Sequence, residues 1–207
     1  FNIAINNNAA ITASIPFTAL GTINITSSIP IVTLTTNSPF TVGGTLTVGG
    51  NLNSNAGFTA NGAVTVTATT GSLQTATASF SVAGTLTING FLTANAGFST
   101  AGTVTVNNTG SLTANTSPFS IGGLFTVNGP VIANAGADLT LSGASNFAIN
   151  TGGTFTSSVT VIFNGTTTLT GSAAANARNF TNLRVNSGQS LNGVEDFIVG
   201  GNIENNG

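Results

Sequence analysis

Short runs in which polar and apolar residues alternate recur along the chain, each closed by Gly or Asn-Gly. The clearest are Thr45-Leu46-Thr47-Val48, Ala63-Val64-Thr65-Val66, Thr85-Leu86-Thr87-Ile88 and Thr103-Val104-Thr105-Val106. Alternation with period two marks a strand buried on one face, and the β-branched residues that fill these runs suit a pleated surface. No stretch carries the spacing of an amphipathic helix. The alternation predicts a chain of short strands separated by tight turns.

The runs belong to an internal repeat. A block of about 40 residues starts at Ser38, is rewritten from Ala78 and begins again at Ser117. Phe40, Phe80 and Phe119 correspond, as do Asn55-Ala56-Gly57, Asn95-Ala96-Gly97 and Asn134-Ala135-Gly136. Each block divides again, because Phe40, Phe58, Phe80, Phe98 and Phe119 follow one another at 18, 22, 18 and 21 residues. One unit is therefore about 20 residues, with three short strands and three turns. Repeats of this length that cannot bury their own apolar face stack on their neighbours. The predicted fold is all-β: a right-handed parallel β-helix (β-solenoid), three short strands per coil, no helices. Ten coils at about 4.8 Å make a rod roughly 50 Å long.

Stacking turns the repeat into columns of like residues inside the rod. The five phenylalanines form one. Leu46, Val64, Leu86, Val104 and Phe125 form a second, and Leu52, Leu73, Leu92, Leu112 and Ile132 a third. Gly and Asn at the corners supply the positive φ that sharp turns demand, and the recurring Asn suggests stacked amides like those of cross-β structures.

Residues 1–37 differ from residues 38–207. Ile is frequent, Gly appears only at Gly21, and Pro16 and Pro30 interrupt. This segment reads as atypical first coils, either a cap or a strand that docks on a neighbouring subunit through Ile3, Ile5 and Ile11. The coils are most regular over residues 38–136 and looser beyond. Ala173-Ala174-Ala175 marks a corner or small insertion, and the sequence closes in mid-coil at Gly207.

Composition narrows the chemistry. Charged residues are 3% of the chain, against about 25% in ordinary domains, while hydrophobic residues are 40%, so the low charge does not signal disorder. Two arginines, Arg178 and Arg184, make no basic patch for nucleic acid. No apolar run approaches the roughly 18 residues of a membrane helix. With no His, Cys or Lys, and four scattered carboxylates (Asp138, Glu195, Asp196 and Glu204), catalysis has little to work with. A glycosidase needs two carboxylates about 5–9.5 Å apart on one bond. Glu195 and Asp196 are adjacent and on a strand would face opposite sides; they also offer too few oxygens for calcium and read as solvated turn charges or partners of Arg184. Neither an enzyme nor a cofactor site is expected. The near-absence of Lys and Arg leaves trypsin-like proteases little to cut, which suits an exposed extracellular object.

The pattern of aromatic-x-apolar, Gly-Gly, Thr-apolar-Thr-apolar and an Asn/Gly turn resembles the β-helical passenger regions of bacterial surface adhesins, including filamentous-haemagglutinin-like and autotransporter repeats. The stretch from Phe180 to Gly207 resembles the degenerate repeats of secreted bacterial surface proteins. These resemblances imply export, a rod shape, and roles in adhesion, biofilm or filament building, with no catalytic residues to transfer. The expected partner is a second copy of the chain, in a filament or surface fibre, with a cell-surface or glycan receptor as a further candidate. The one candidate functional surface is an outward ladder of Thr45, Thr47, Thr65, Thr85, Thr87, Thr103 and Thr105. It resembles the ice-binding faces of some antifreeze proteins and is broken at Leu124.

Overall fold

A computed structural model describes residues 1–6, 10–26, 31–67, 70–143, 146–193 and 195–206. The chain forms three parallel sheets, each of ten strands in the described residues. The first runs from Ile3–Ile5 to Leu191–Gly193, the second from Ala10–Ala13 to Ile198–Val199, and the third from Phe17–Ala19 to Ile203–Asn205. Every third strand in sequence is a neighbour in space, so the chain visits the three sheets in turn and climbs one rung per circuit. This is a parallel β-solenoid of about nine coils with three strands per coil. Ten rungs at about 4.8 Å span roughly 43 Å. The only helical element among the described residues is the 3-10 turn Ala175–Ala177, next to the predicted corner.

Backbone hydrogen bonds run along the axis without a break through the repeat: Leu46 N donates to Ala63 O at 2.9 Å, Val64 N to Thr85 O at 2.8 Å, and Leu86 N to Thr103 O at 2.9 Å. Residues 1–37 contribute rungs to the same three sheets, with Ile3 paired to Ile23 and Phe17 to Phe40. Pro30 lies outside the described residues.

The predicted phenylalanine column exists and is longer than the repeat suggested. Six rings, from Phe17 through Phe40, Phe58, Phe80 and Phe98 to Phe119, stack with centroids 4.8–5.1 Å apart and planes within 6–23°. Beyond Phe119 the column continues as Leu139 and Val161, and the aromatic mass moves to the other walls. Phe125 and Phe147 stack in the first sheet at 5.0 Å, and Phe155 of the second meets Phe147 edge-on at 5.2 Å. The second predicted column, Leu46 to Phe125, is in register. The third needs a correction. Leu112 pairs with Val131, which is fully buried, whereas Ile132 is 42% exposed on the outside of the rod.

The corner glycines are also explained differently. Positive φ occurs at only five described glycines, among them Gly57 and Gly136. At Gly62 and Gly90 the cause is steric: a Cβ would strike the carbonyl oxygen of Gly44 or Gly71 in the coil below. Glycine stacks on glycine because corners approach most closely there.

Six hydroxyls are buried among the described residues, those of Thr36, Ser54, Thr75, Thr100, Ser157 and Thr167. Thr36 Oγ1 donates to Ser54 Oγ at 3.3 Å, but neither Thr75 Oγ1 nor Thr100 Oγ1 has a partner, the latter between Val82 and Ile121 in its column. An unsatisfied buried hydroxyl costs about 1–3 kcal/mol. Thr100→Val is therefore expected to raise stability by about 1 kcal/mol in chemical denaturation, whereas Phe80→Ala, which opens the middle of the ring stack, lowers it by about 3–5 kcal/mol.

Candidate functional site

The outward threonines fall into two columns on the first sheet. Thr47, Thr65, Thr87 and Thr105 pair in direct register, and Thr126 extends them to five consecutive rungs. Thr45, Thr85 and Thr103 stand two residues earlier, where Ala63 and then Leu124 interrupt. Asn24 and Ala148 end the regular column.

This surface is not unique. The third sheet carries a longer hydroxyl column, Thr18, Thr41, Thr59, Ser81, Ser99, Ser120 and Thr140, again rung on rung. It floors a shallow trough in two adjoining parts of about 400 Å³ and 450 Å³, which share Thr59, Ser81, Ser99 and Ser120. Sequence reasoning missed it because single Ser or Thr residues after each Phe lack the Thr-x-Thr rhythm. The rings beneath the trough are buried, so they offer no stacking face.

Corners hold the predicted amide ladders. Asn115 Nδ2 donates to Asn95 Oδ1 at 2.6 Å and Asn134 Nδ2 to Asn115 Oδ1 at 2.7 Å. At a second corner Asn107 donates to Asn89, Asn128 to Asn107 and Asn150 to Asn128. Asn115, Asn107 and Asn128 each accept from one neighbouring coil and donate to the other, which satisfies both halves of the amide and fixes the vertical register.

The charged residues do not converge. Asp138 Oδ1 accepts from the Thr160 backbone N–H at 3.0 Å. Glu204 pairs with Arg184 at 2.9 Å on adjacent rungs of the third sheet, so Arg184 serves Glu204 rather than Glu195 or Asp196. No group of three or more His, Cys, Asp and Glu able to hold a metal occurs among the described residues, and no helix among them is long and apolar enough to cross a membrane. Arg178 is the surprise: it points inward in the leucine column on the rung above Phe155, 1% exposed. Its guanidinium donates to the carbonyls of Asp196 and Gly171, both at 2.8 Å, and Nε has no partner. It fastens the Gly171 corner to the Asp196 strand connection and is closed to any substrate.

Of the proposed docking residues, Ile11 is 43% exposed at the first rung and Ile3 is half-buried, but Ile5 is inside the core. With Phe17, Ile23 and Leu34 they border an apolar hollow of about 170 Å³.

Hydrogen bonds from Asn206 and then Arg184 hold the Glu204 carboxyl below the ordinary glutamate range. A depressed folded pKa gives a contribution that is present above the unfolded value and lost as pH falls through the folded one. Carboxyl-carbon NMR titration is expected to place Glu204 below that range, with Asn206→Ala and Arg184→Ala each moving it back up.

No family model matches this chain, and neither does any curated protein or solved structure. What its own geometry establishes is a parallel β-solenoid built from an internal repeat, with neutral, hydroxyl-rich outer faces.

Proposed function

We propose that the chain is a structural rod, a subunit of an extracellular filament or surface fibre that grows by one copy's rung stacking on another's. The observation that carries this reading is the axial continuity of the three sheets, whose rungs all bond along the rod and are interchangeable in outline. Such a module contacts only what lies above and below it, and a head-to-tail contact that does not close on itself produces an open filament. The hollow beside Ile3, Ile11 and Phe17 offers apolar surface to a further rung. Low net charge leaves little repulsion between subunits. The reading assigns no catalytic step, cofactor, nucleic acid or membrane insertion. Sedimentation and electron microscopy of concentrated protein are expected to show end-to-end polymers. Ile11→Lys, which sets a charge at the exposed edge, should shorten them. A monomer at every concentration would contradict the proposal.

A second reading is ice binding, favoured by the in-register column Thr47, Thr65, Thr87, Thr105 and Thr126. It predicts thermal hysteresis that the double change Thr85→Tyr and Thr87→Tyr abolishes. Absence of hysteresis in the unaltered chain removes it.

A further inference from the structure

The outer face of the second sheet departs from the repeat by setting large apolar side chains where neighbouring coils carry Ser or Thr. At the first outward position of its strands, the coil before Phe91 carries Ser72 and the coil after carries Ser111, with Pro130 next. At the other outward position Thr113 is followed by Ile132. Phe91 is 53% exposed and Ile132 42%. The scaffold does not require them, since serine and threonine do the same work in neighbouring rungs. On the two rungs that precede Phe91, at the other outward position, stand two amides, Asn53 and Gln74, in register with each other. Neither side chain has a hydrogen-bond partner among the described residues. They line a cleft of about 240 Å³ together with Thr35, Asn55 and Ala76.

We propose that this face binds a neutral, linear, β-linked glycan, with a sugar ring on Phe91 and vicinal hydroxyls on Gln74 and Asn53. The face of an aromatic ring is electronegative and attracts the polarised C–H groups of a flat sugar ring. A side-chain amide offers a donor and an acceptor side by side, which matches a pair of neighbouring hydroxyls. A few placed polar groups beside an apolar platform are the usual make-up of a small-ligand site. Charge decides against other polymers: no charged residue occurs before Asp138, so phosphate, sulfate or carboxylate groups would find no counter-charge here. Size decides against a second copy, because the exposed side chains of Phe91, Pro130 and Ile132 fall far short of the roughly 800 Å² per partner of a stable protein interface. The hydroxyl trough of the third sheet lacks a stacking ring and is the weaker site for a sugar. This site stands whether or not the rods stack end to end.

The test is an NMR titration of the full chain with cellohexaose and with chitohexaose, and with maltohexaose as the curved comparison. Phe91→Ser restores the residue that the adjacent coils carry and so preserves the fold, which the unchanged amide spectrum of the first sheet checks. Binding of at least one β-linked hexaose is expected, with shifts centred on Ser72–Thr75 and Phe91–Ala94. Phe91→Ser should weaken it roughly tenfold or more, the scale of a lost stacking contact; Gln74→Ala should weaken it less, and Ser99→Ala on the third sheet not at all. No binding of either β-linked hexaose overturns the proposal, as does equal affinity of the Phe91→Ser chain. Self-association abolished by Phe91→Ser, without glycan binding, would make a second copy the occupant and overturn it as well.

Discussion

Parallel pairing in register along one axis is the constraint from which the rest of this molecule follows. Each residue sits on its counterpart about 4.8 Å below, so whatever a coil carries is stacked on the same kind of residue. Phe on Phe gains ring contact, Asn on Asn closes an amide ladder, and Gly on Gly lets corners touch. A charge repeated in every coil would stand on its own kind at the same spacing, which is unfavourable for directly opposed like charges. That is why the regular rungs hold no charge, and why the one ion pair among the described residues, Arg184 with Glu204, sets opposite signs on successive rungs.

The core conserves volume and not position. Up to Phe119 each coil sends its ring from the third sheet and fills the other walls with Leu, Ile and Val. Beyond it Leu139 takes the ring's place, while Phe147 and Phe155 come in from the first and second sheets and pack edge to face. The rung still closes because three walls share one interior. Arg178 extends this freedom to its limit: a long side chain fills the place of a leucine and spends its donors on carbonyls that no strand pairs.

Much of this was legible in the sequence because period-two alternation and the 18–22-residue spacing of Phe40 to Phe119 report strand and coil length directly. The failures have local causes. Pro130-Val131-Ile132 is apolar at three consecutive positions, so alternation cannot say which one faces inward, and the pairing of Leu112 with Val131 decides it. Phe17 precedes Phe40 in an isoleucine-rich segment unlike the repeat, which hid its place in the ring stack. Glycine stands at corners both where φ is positive and where coils nearly touch, and sequence alone does not separate the two. Of the outer faces, the Thr-x-Thr rhythm drew attention to the first sheet. The third sheet's hydroxyl column and the exposed Phe91 of the second emerge only when strands from different coils are set side by side.

The central claim is that all three walls form one axial stack in which every rung is held by those above and below. Amide hydrogen exchange followed by NMR tests it most directly. The structure predicts the slowest exchange in all three sheets of the middle rungs, at Val64–Val66, Ser72–Thr75 and Phe80–Val82 alike, with protection falling gradually toward both ends. Protection confined to one sheet, or an abrupt loss between two adjacent middle rungs, would contradict it.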